Sequence, residues 1–436
     1  MHSKLRKTAA ATLAALMLTQ GAFLSAAETG ANAASTYDIV VLGDSLAAGY
    51  EHGFTETSVP YGYAEHMYEQ ALFHGLRAEY DNYGLIGLTS EGLSKWLRSA
   101  SAGKAASTAS IQPGLYDPRA DDIFKRTSEL KADIQQAELV LITIGGNDFL
   151  SLIKGLQSGD NFADYDKLSA PEQAALQSQL DGLLSGFEAQ LSAALADIRK
   201  LQPGAEIVIA NQYLPIPFAK IRNEVVYYVP PGTAEFLLDG QRRLLAALES
   251  VAEPLSIKIA DAAAAIESNV LIYTNVGKKG SERDIHPTRD GYKAIGKAFA
   301  EAVFGEYRTV SKKPASVPIS VVVKGKELQT VYTPRIKNGR TFVAIADITD
   351  AIGAARSWNA KTNTATITLK DRTVELTIGA KTIKINGKTV PLNAEPAYFE
   401  QFPGEKKTYV PLAALSEGLG LQVRYREILD TAFINP

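Results

Sequence analysis

The chain has 436 residues, 46% of them hydrophobic, enough to bury a large core and to divide into more than one domain. Its formal net charge is −3 and no dense basic tract appears, so nucleic acid is not an expected partner. With no cysteine it has no thiol catalysis, no disulfide staple and no lipid-bearing N-terminal cysteine.

Lys4, Arg6 and Lys7 precede an apolar, Ala-rich stretch from Thr8 to Ala27, and Ala31-Asn32-Ala33 supplies a small-residue cleavage site. This pattern predicts a Sec-type signal peptide over residues 1–33, and with it a secreted or cell-surface protein. An uncleaved membrane anchor is the competing possibility. From there to Tyr307, short apolar runs alternate with amphipathic stretches. Tyr37–Leu42, Glu138–Ile144 and Glu206–Ala210 read as buried parallel strands, with Ala78–Asn82 and Ile257–Ala260 as weaker candidates. Ser169-Ala170-Pro171-Glu172 is a capping box. It opens a helix with Leu176, Leu180, Leu183, Leu184, Phe187, Leu191, Leu195 and Ile198 along one face, a stripe that reads as core packing. Strands alternating with helices predict an α/β/α sandwich around a parallel sheet.

Three separated strings carry the chemistry. Gly43-Asp44-Ser45-Leu46 follows the first strand, with a helix or a loop into one expected from Leu46 to about Tyr50. Ligands of open α/β sheets bind beyond the carboxyl ends of the strands, and Ser45 stands there. Gly145-Gly146-Asn147-Asp148 follows the strongest strand and offers an amide donor that needs no ionisation. Between the two, Gly84 and Gly87 lie after another strand candidate, where a glycine N–H can also donate. Each string alone is equally an ordinary turn. Of five histidines, His52, His66 and His74 sit in a Tyr- and Glu-rich region that suits structural roles, and His2 belongs to the leader. His286 differs, because Pro287 stiffens the loop and Gly291-Tyr292 opens a helix through Ile295, Phe299 and Val303. From that loop an imidazole can reach across the sheet to Ser45. Together the blocks supply a nucleophile, oxyanion donors and a base, the requirements of acyl transfer.

In this order the blocks resemble those of the SGNH, or GDSL-type, serine hydrolases, over roughly Thr36 to Tyr307. The resemblance implies a flavodoxin-like three-layer α/β/α sandwich with Ser45 as nucleophile and His286 as general base. It also implies an oxyanion hole from the N–H groups of Ser45 and Gly87 and the side chain of Asn147. The family places Asp three residues before the histidine, and here that position holds Arg283. Asp284 is the nearest carboxylate and is expected to orient the imidazole, with Glu282 next and a backbone carbonyl as a substitute. No metal or other cofactor is expected.

Lys312–Pro318 looks like a linker, and beyond it short β-rich segments are separated by turn signals at Lys324-Gly325, Asn338-Gly339 and Asn386-Gly387. Thr341-Phe342-Val343 matches Thr408-Tyr409-Val410, and Gly353, Trp358 and Ile367 match Gly420, Tyr425 and Ile434, all at an offset of 67. A smaller α+β domain of two strand–helix–strand repeats is therefore expected. These residues resemble the stalk-type module named after the N-terminal domain of copper amine oxidases, which implies a spacer or surface-association role. The name brings no copper, because no histidine or cysteine follows His286.

The expected organisation is a signal peptide over 1–33, a hydrolase domain over 34–307, a linker over 308–318 and the two-repeat module over 319–436. The expected function is a secreted or surface-associated serine esterase acting on a lipid or an acylated carbohydrate, with the module associating with the cell wall. A cell-wall glycan deacetylase or acyltransferase of the same fold is one alternative, and a non-catalytic surface-binding protein is another. The segment from Asn211 to Gly240, with Pro215, Pro217, Phe218, Tyr227, Tyr228, Pro230 and Pro231, is a candidate wall of the site.

Overall fold

Five short segments between Tyr37 and Ala260 pair side by side, all in parallel. They are β1 (Tyr37–Gly43), β2 (Ala78–Asn82), β3 (Leu139–Thr143), β4 (Glu206–Ala210) and β5 (Lys258–Ala260), in the order β2-β1-β3-β4-β5. The computed structural model describes residues 35–158, 161–216, 218–221, 224–280 and 284–436. The expected signal peptide, Glu282 and Arg283 lie outside these residues.

Strand alternation divides the core. Val40 and Leu42 face one layer with Val140, Ile142, Ile207 and Ile209, while Ile39 and Val41 face the other with Leu139, Leu141 and Val208. Because both faces are covered, the strands read as unbroken apolar runs. The first layer is closed by α2 (Ser90–Ser101), α3 (Thr127–Gln136), α4 (Leu150–Gly155), α5 (Ala170–Leu201) and α6 (Pro231–Ala252). The second is closed by α1 (Tyr63–Phe73), α7 (Ala262–Glu267) and α8 (Arg289–Phe304). This is the three-layer α/β/α sandwich, with the strand order of flavodoxin-like folds. The long helix α5 begins at the expected box, Glu172 accepting from Ser169 N at 2.7 Å, and buries Leu180, Leu184, Phe187, Leu191, Leu195 and Ile198.

No helix follows Ser45 directly. Ala48 N donates to Asp44 O, Gly49 N to Leu46 O and Tyr50 N to Ser45 O, a single helical turn closed at Gly49, whose φ is +66°. The chain then runs as loop to α1, so of the two expectations from Leu46 the loop into a helix holds, opened by one turn.

Beyond α8 comes a β-rich module with its own core, which includes Val321, Val343, Ile348, Ile367, Val410, Leu415 and Ile434. It starts at β6 (Ser320–Val323) and contains α9 (Ile345–Ile352), α10 (Leu412–Gly418), β7 (Gln422–Arg426) and β8 (Thr431–Asn435). The turns expected at Lys324-Gly325, Asn338-Gly339 and Asn386-Gly387 have positive φ at both residues. Strands 340–344, 355–359 and 364–369 surround α9 in the same chain order as 405–411, β7 and β8 surround α10.

The module packs against the sandwich. Val322 and Phe433 belong to the second core layer, with the Phe433 ring perpendicular to that of Phe73 at 4.8 Å. Asn435 Nδ2 donates to Leu72 O and Leu76 O at 3.1 and 2.8 Å, and Gln422 Nε2 donates to Ala78 O at 3.1 Å. Arg426 Nε meets Glu69 Oε1 at 2.8 Å, and Arg424 pairs with Glu79.

Candidate active site

The order β2-β1-β3 puts the ends of β1 and β3 side by side, and the chain reverses direction of winding there. β1 ends at Gly43 with φ +131°, where a Cβ would stand 1.9 Å from Thr143 O of β3. Only glycine fits, and Asp44 N then donates to Thr143 O at 2.9 Å. Asp44 is buried; its Oδ1 accepts from Leu46 N and from Thr143 Oγ1, both at 3.0 Å, which fixes the turn presenting Ser45. Burial pushes the Asp44 carboxyl up to about 6, despite those two hydrogen bonds.

Ser45 Oγ lies 2.7 Å from His286 Nε2, and His286 Nδ1 lies 2.6 Å from Asp284 Oδ1. The same Asp284 oxygen accepts from His286 N at 3.3 Å. Burial works against the charge of Asp284, but the hydrogen bond and charge of His286, with backbone N–H groups, hold its carboxyl below its ordinary value. The loop is anchored from behind: Asn275 N donates to His286 O at 3.0 Å, and Tyr213 Oη donates to Ile285 O at 2.9 Å.

Asn147 follows β3 in a short 3-10 turn, Gly146–Phe149. One N–H of its amide goes to Leu88 O at 3.0 Å, which leaves the second. Asp148 ties this turn to the start of α2, accepting from Ser90 N at 3.1 Å and from the Ser90 hydroxyl. Gly87 has φ +85° in the loop after β2. Among the described residues neither the Ser45 N–H nor the Gly87 N–H meets an acceptor.

A cavity of about 160 Å3 opens at these groups, lined by Asp44, Ser45, Asn147 and His286. Its remaining walls are mainly apolar, with Phe149, Leu152, Leu180, Leu214, Phe236 and Leu237 among them.

A family model described as the GDSL-like Lipase/Acylhydrolase family matches residues 41–294, more than half of the chain. The chain belongs to this family. It is a carboxylic ester hydrolase. A second model, the copper amine oxidase N-terminal domain, matches residues 322–434. Those residues hold no histidine or cysteine, so they lack imidazole and thiolate donors for copper. No curated protein matches the chain. Among solved structures it is similar to a lipase from a goat rumen metagenome, at 16% identity over 62% of this chain and 99% of that one, with a TM-score of 0.41. It is also similar to phospholipase A1 from Streptomyces albidoflavus NA297, at 17% identity over 61% and 99%, with a TM-score of 0.40. A third likeness is to a catalytic mutant of an acetylxylan esterase from Geobacillus stearothermophilus, at 13% identity over 63% and 97%, with a TM-score of 0.37. At such identities and scores these add nothing to the family assignment.

Of the five expected residues of this GDSL-like hydrolase, Ser45, Asn147 and His286 line the cavity, Asp284 meets the far nitrogen of the His286 ring, and Gly87 stands in the loop after β2. His66 and His74 pack elsewhere, His66 between Tyr61 and Tyr307. The segment from Asn211 to Gly240 does wall the cavity, through the expected Pro215 and also through Gln212, Tyr213, Leu214, Phe236, Leu237 and Gly240. Tyr228 is 69% exposed, and Pro217 lies outside the described residues. Sequence inspection missed Tyr50, whose ring packs on His286 at 4.4 Å, and Tyr213, which holds the His286 loop. Tyr50 closes the turn after Ser45 and Tyr213 belongs to no motif, and a tyrosine by itself signals nothing.

Proposed function

We propose that this hydrolase cleaves carboxylic esters through an acyl-enzyme on Ser45, with His286 as general base and Asp284 as the acid that orients it. The observation carrying this is the unbroken relay from Ser45 Oγ to His286 Nε2 at 2.7 Å and from His286 Nδ1 to Asp284 at 2.6 Å. Ser45 Oγ attacks the ester carbonyl carbon as its proton passes to His286 Nε2. The developing oxyanion is received by the N–H groups of Ser45 and Gly87 and the free N–H of Asn147. The C–O bond to the alcohol then breaks, and the leaving oxygen takes the proton from His286. Water, deprotonated by the same imidazole, releases the acid and restores Ser45. Asp284 stays ionised throughout and stabilises the imidazolium.

The apolar cavity beside Ser45 supports an ester whose acyl part is longer than acetyl, because burying each methylene gains about 0.8 kcal/mol. A lipid or other long-acyl ester therefore fits better than an acetylated glycan. Export by the segment over 1–33 and cell-wall association through the C-terminal module belong to the same proposal and rest on the sequence. The test is hydrolysis of p-nitrophenyl esters from acetate to dodecanoate by the wild type and Ser45→Ala. Loss of turnover in the variant and a maximum beyond acetate are expected. A variant at the wild-type rate removes Ser45 as nucleophile, and a maximum at acetate moves the substrate class to acetyl esters.

A further inference from the structure

The segment Gln112–Arg119, which carries none of the catalytic groups, grips the loop that presents the Gly87 N–H. Asp117 Oδ2 accepts from Ile86 N at 2.7 Å, and Gln112 Nε2 donates to Gly87 O at 2.9 Å. The peptide unit bearing the Gly87 N–H lies between these two bonds. Gln112 is held in turn, its Oε1 accepting from Thr89 N and Thr89 Oγ1, both at 3.0 Å. Asp117 is buried to 5% exposure and is fixed by Arg119, whose backbone N, Nε and Nη2 all donate to it, at 2.8, 3.1 and 2.7 Å. Arg119 Nη2 also reaches Gly84 O at 3.1 Å, and Leu85 N donates to Gly43 O at 2.9 Å, tying the loop to the end of β1.

The backbone groups on either side of the Gly87 N–H are thus held by a neighbouring segment, while the Gly87 N–H itself meets no acceptor among the described residues. A left-handed glycine with φ +85° is a soft position that needs such restraint, since glycine populates many conformations. Tyr116 lies in the same gripping segment, close against Gly87, and lines the cavity.

We propose that Gln112 and Asp117 are positioning residues for the oxyanion hole. They hold the 86–87 peptide at the orientation needed when the tetrahedral intermediate forms, and they touch no reacting atom. This rests on the assignment of the Gly87 N–H as an oxyanion donor. Pre-set donors matter most where charge develops, so a loosened peptide lowers the chemical step and leaves ground-state binding largely intact.

The experiment compares Gln112→Leu, Gln112→Glu and Asp117→Asn with the wild type on p-nitrophenyl butyrate, in full-length protein, with active sites counted by fluorophosphonate titration. Gln112→Glu keeps the acceptor for Thr89 but cannot donate to Gly87 O. A fall in kcat of roughly tenfold to a hundredfold with KM within about twofold is expected in both Gln112 variants, and a smaller fall in Asp117→Asn. Affinity for a trifluoromethyl ketone that forms a tetrahedral adduct should fall by the same factor as kcat/KM, whereas affinity for the corresponding unreactive ether should not change. A merely structural role would lower the melting temperature and the titrated fraction without that proportionality, and this overturns the proposal. Wild-type kcat in Gln112→Glu also overturns it. Ser45→Ala in parallel separates the cases: if it retains turnover, the parent mechanism fails, and if it is inactive while Gln112→Glu is normal, only the brace fails.

Discussion

Asp284 stands two residues before His286, and the local backbone makes this spacing work. The carboxylate folds back so that one oxygen takes both the ring Nδ1 at 2.6 Å and the backbone N of His286 at 3.3 Å. With Asp284→Asn the side chain keeps its shape but loses the charge that stabilises the imidazolium, so kcat should fall roughly a hundredfold or more at little change in KM. Steady-state kinetics on p-nitrophenyl butyrate checks this, and a wild-type kcat would leave the orienting role to the backbone. Asp44 gives a second residue-level test. Its folded pKa of about 6 lies above the ordinary 3.8, so the stability it contributes is fully present below pH 4 and is lost as pH rises through 6. A shift of that size is worth on the order of 3 kcal/mol. Urea unfolding at intervals from pH 4 to 7.5 should therefore show Asp44→Asn gaining on the wild type as pH rises, and a constant difference would contradict it. The identities of Ser45, Asn147 and His286 were legible because their chemistry recurs in short strings. The burial of Asp44 was not, since a charged residue in a turn gives no sign that the turn will be covered.

Of the helices that form the cavity α5 was legible in the sequence, but the space beside it was not. Helix α5 was read from its capping box and apolar stripe, and Leu180 on that stripe lines the cavity as well as the core. An apolar face that packs and one that leaves room for a ligand have the same periodicity. Gly240 of α6 marks the difference, with a Cβ there standing 3.4 Å from Leu180 Cδ1, ordinary contact distance. Gly240→Ala should thus be accepted and raise stability by about 0.5–1 kcal/mol through helix propensity. Gly240→Leu should instead fill the cavity and lower the ratio of kcat/KM for octanoate over butyrate esters by roughly tenfold or more. Unchanged chain-length preference in Gly240→Leu would mean that the acyl chain lies elsewhere. The stretch after Ser45 was open between a helix and a loop into one, and Gly49 at φ +66° decides it by closing a single turn.

At the scale of the whole molecule, the change of texture after Pro318 was legible, but the docking of the module on the sandwich was not, because its contacts join residues that stand at opposite ends of the sequence. Glu69 and Arg426 are the sharpest instance. The Glu69 side chain is 2% exposed and that of Arg426 22%, so the pair lies inside the junction. Burial raises the Glu69 carboxyl, and Arg426 acts against that rise. Removing the guanidinium alone leaves a buried carboxylate with the Tyr61 hydroxyl at 2.8 Å and His66 Nδ1 at 3.9 Å beside it. Arg426→Met should therefore cost about 3 kcal/mol of unfolding free energy near pH 8. The loss should shrink as pH falls, because burial favours the protonated form of Glu69. Adding Glu69→Gln to Arg426→Met should recover much of the loss, because a neutral amide at that position leaves no charge unpaired. If the module and the sandwich stabilise each other, loss of esterase activity and loss of module structure in Arg426→Met should follow one urea transition. Two separate transitions, with the activity midpoint unmoved by the substitution, would mean that the junction contributes nothing to the catalytic domain.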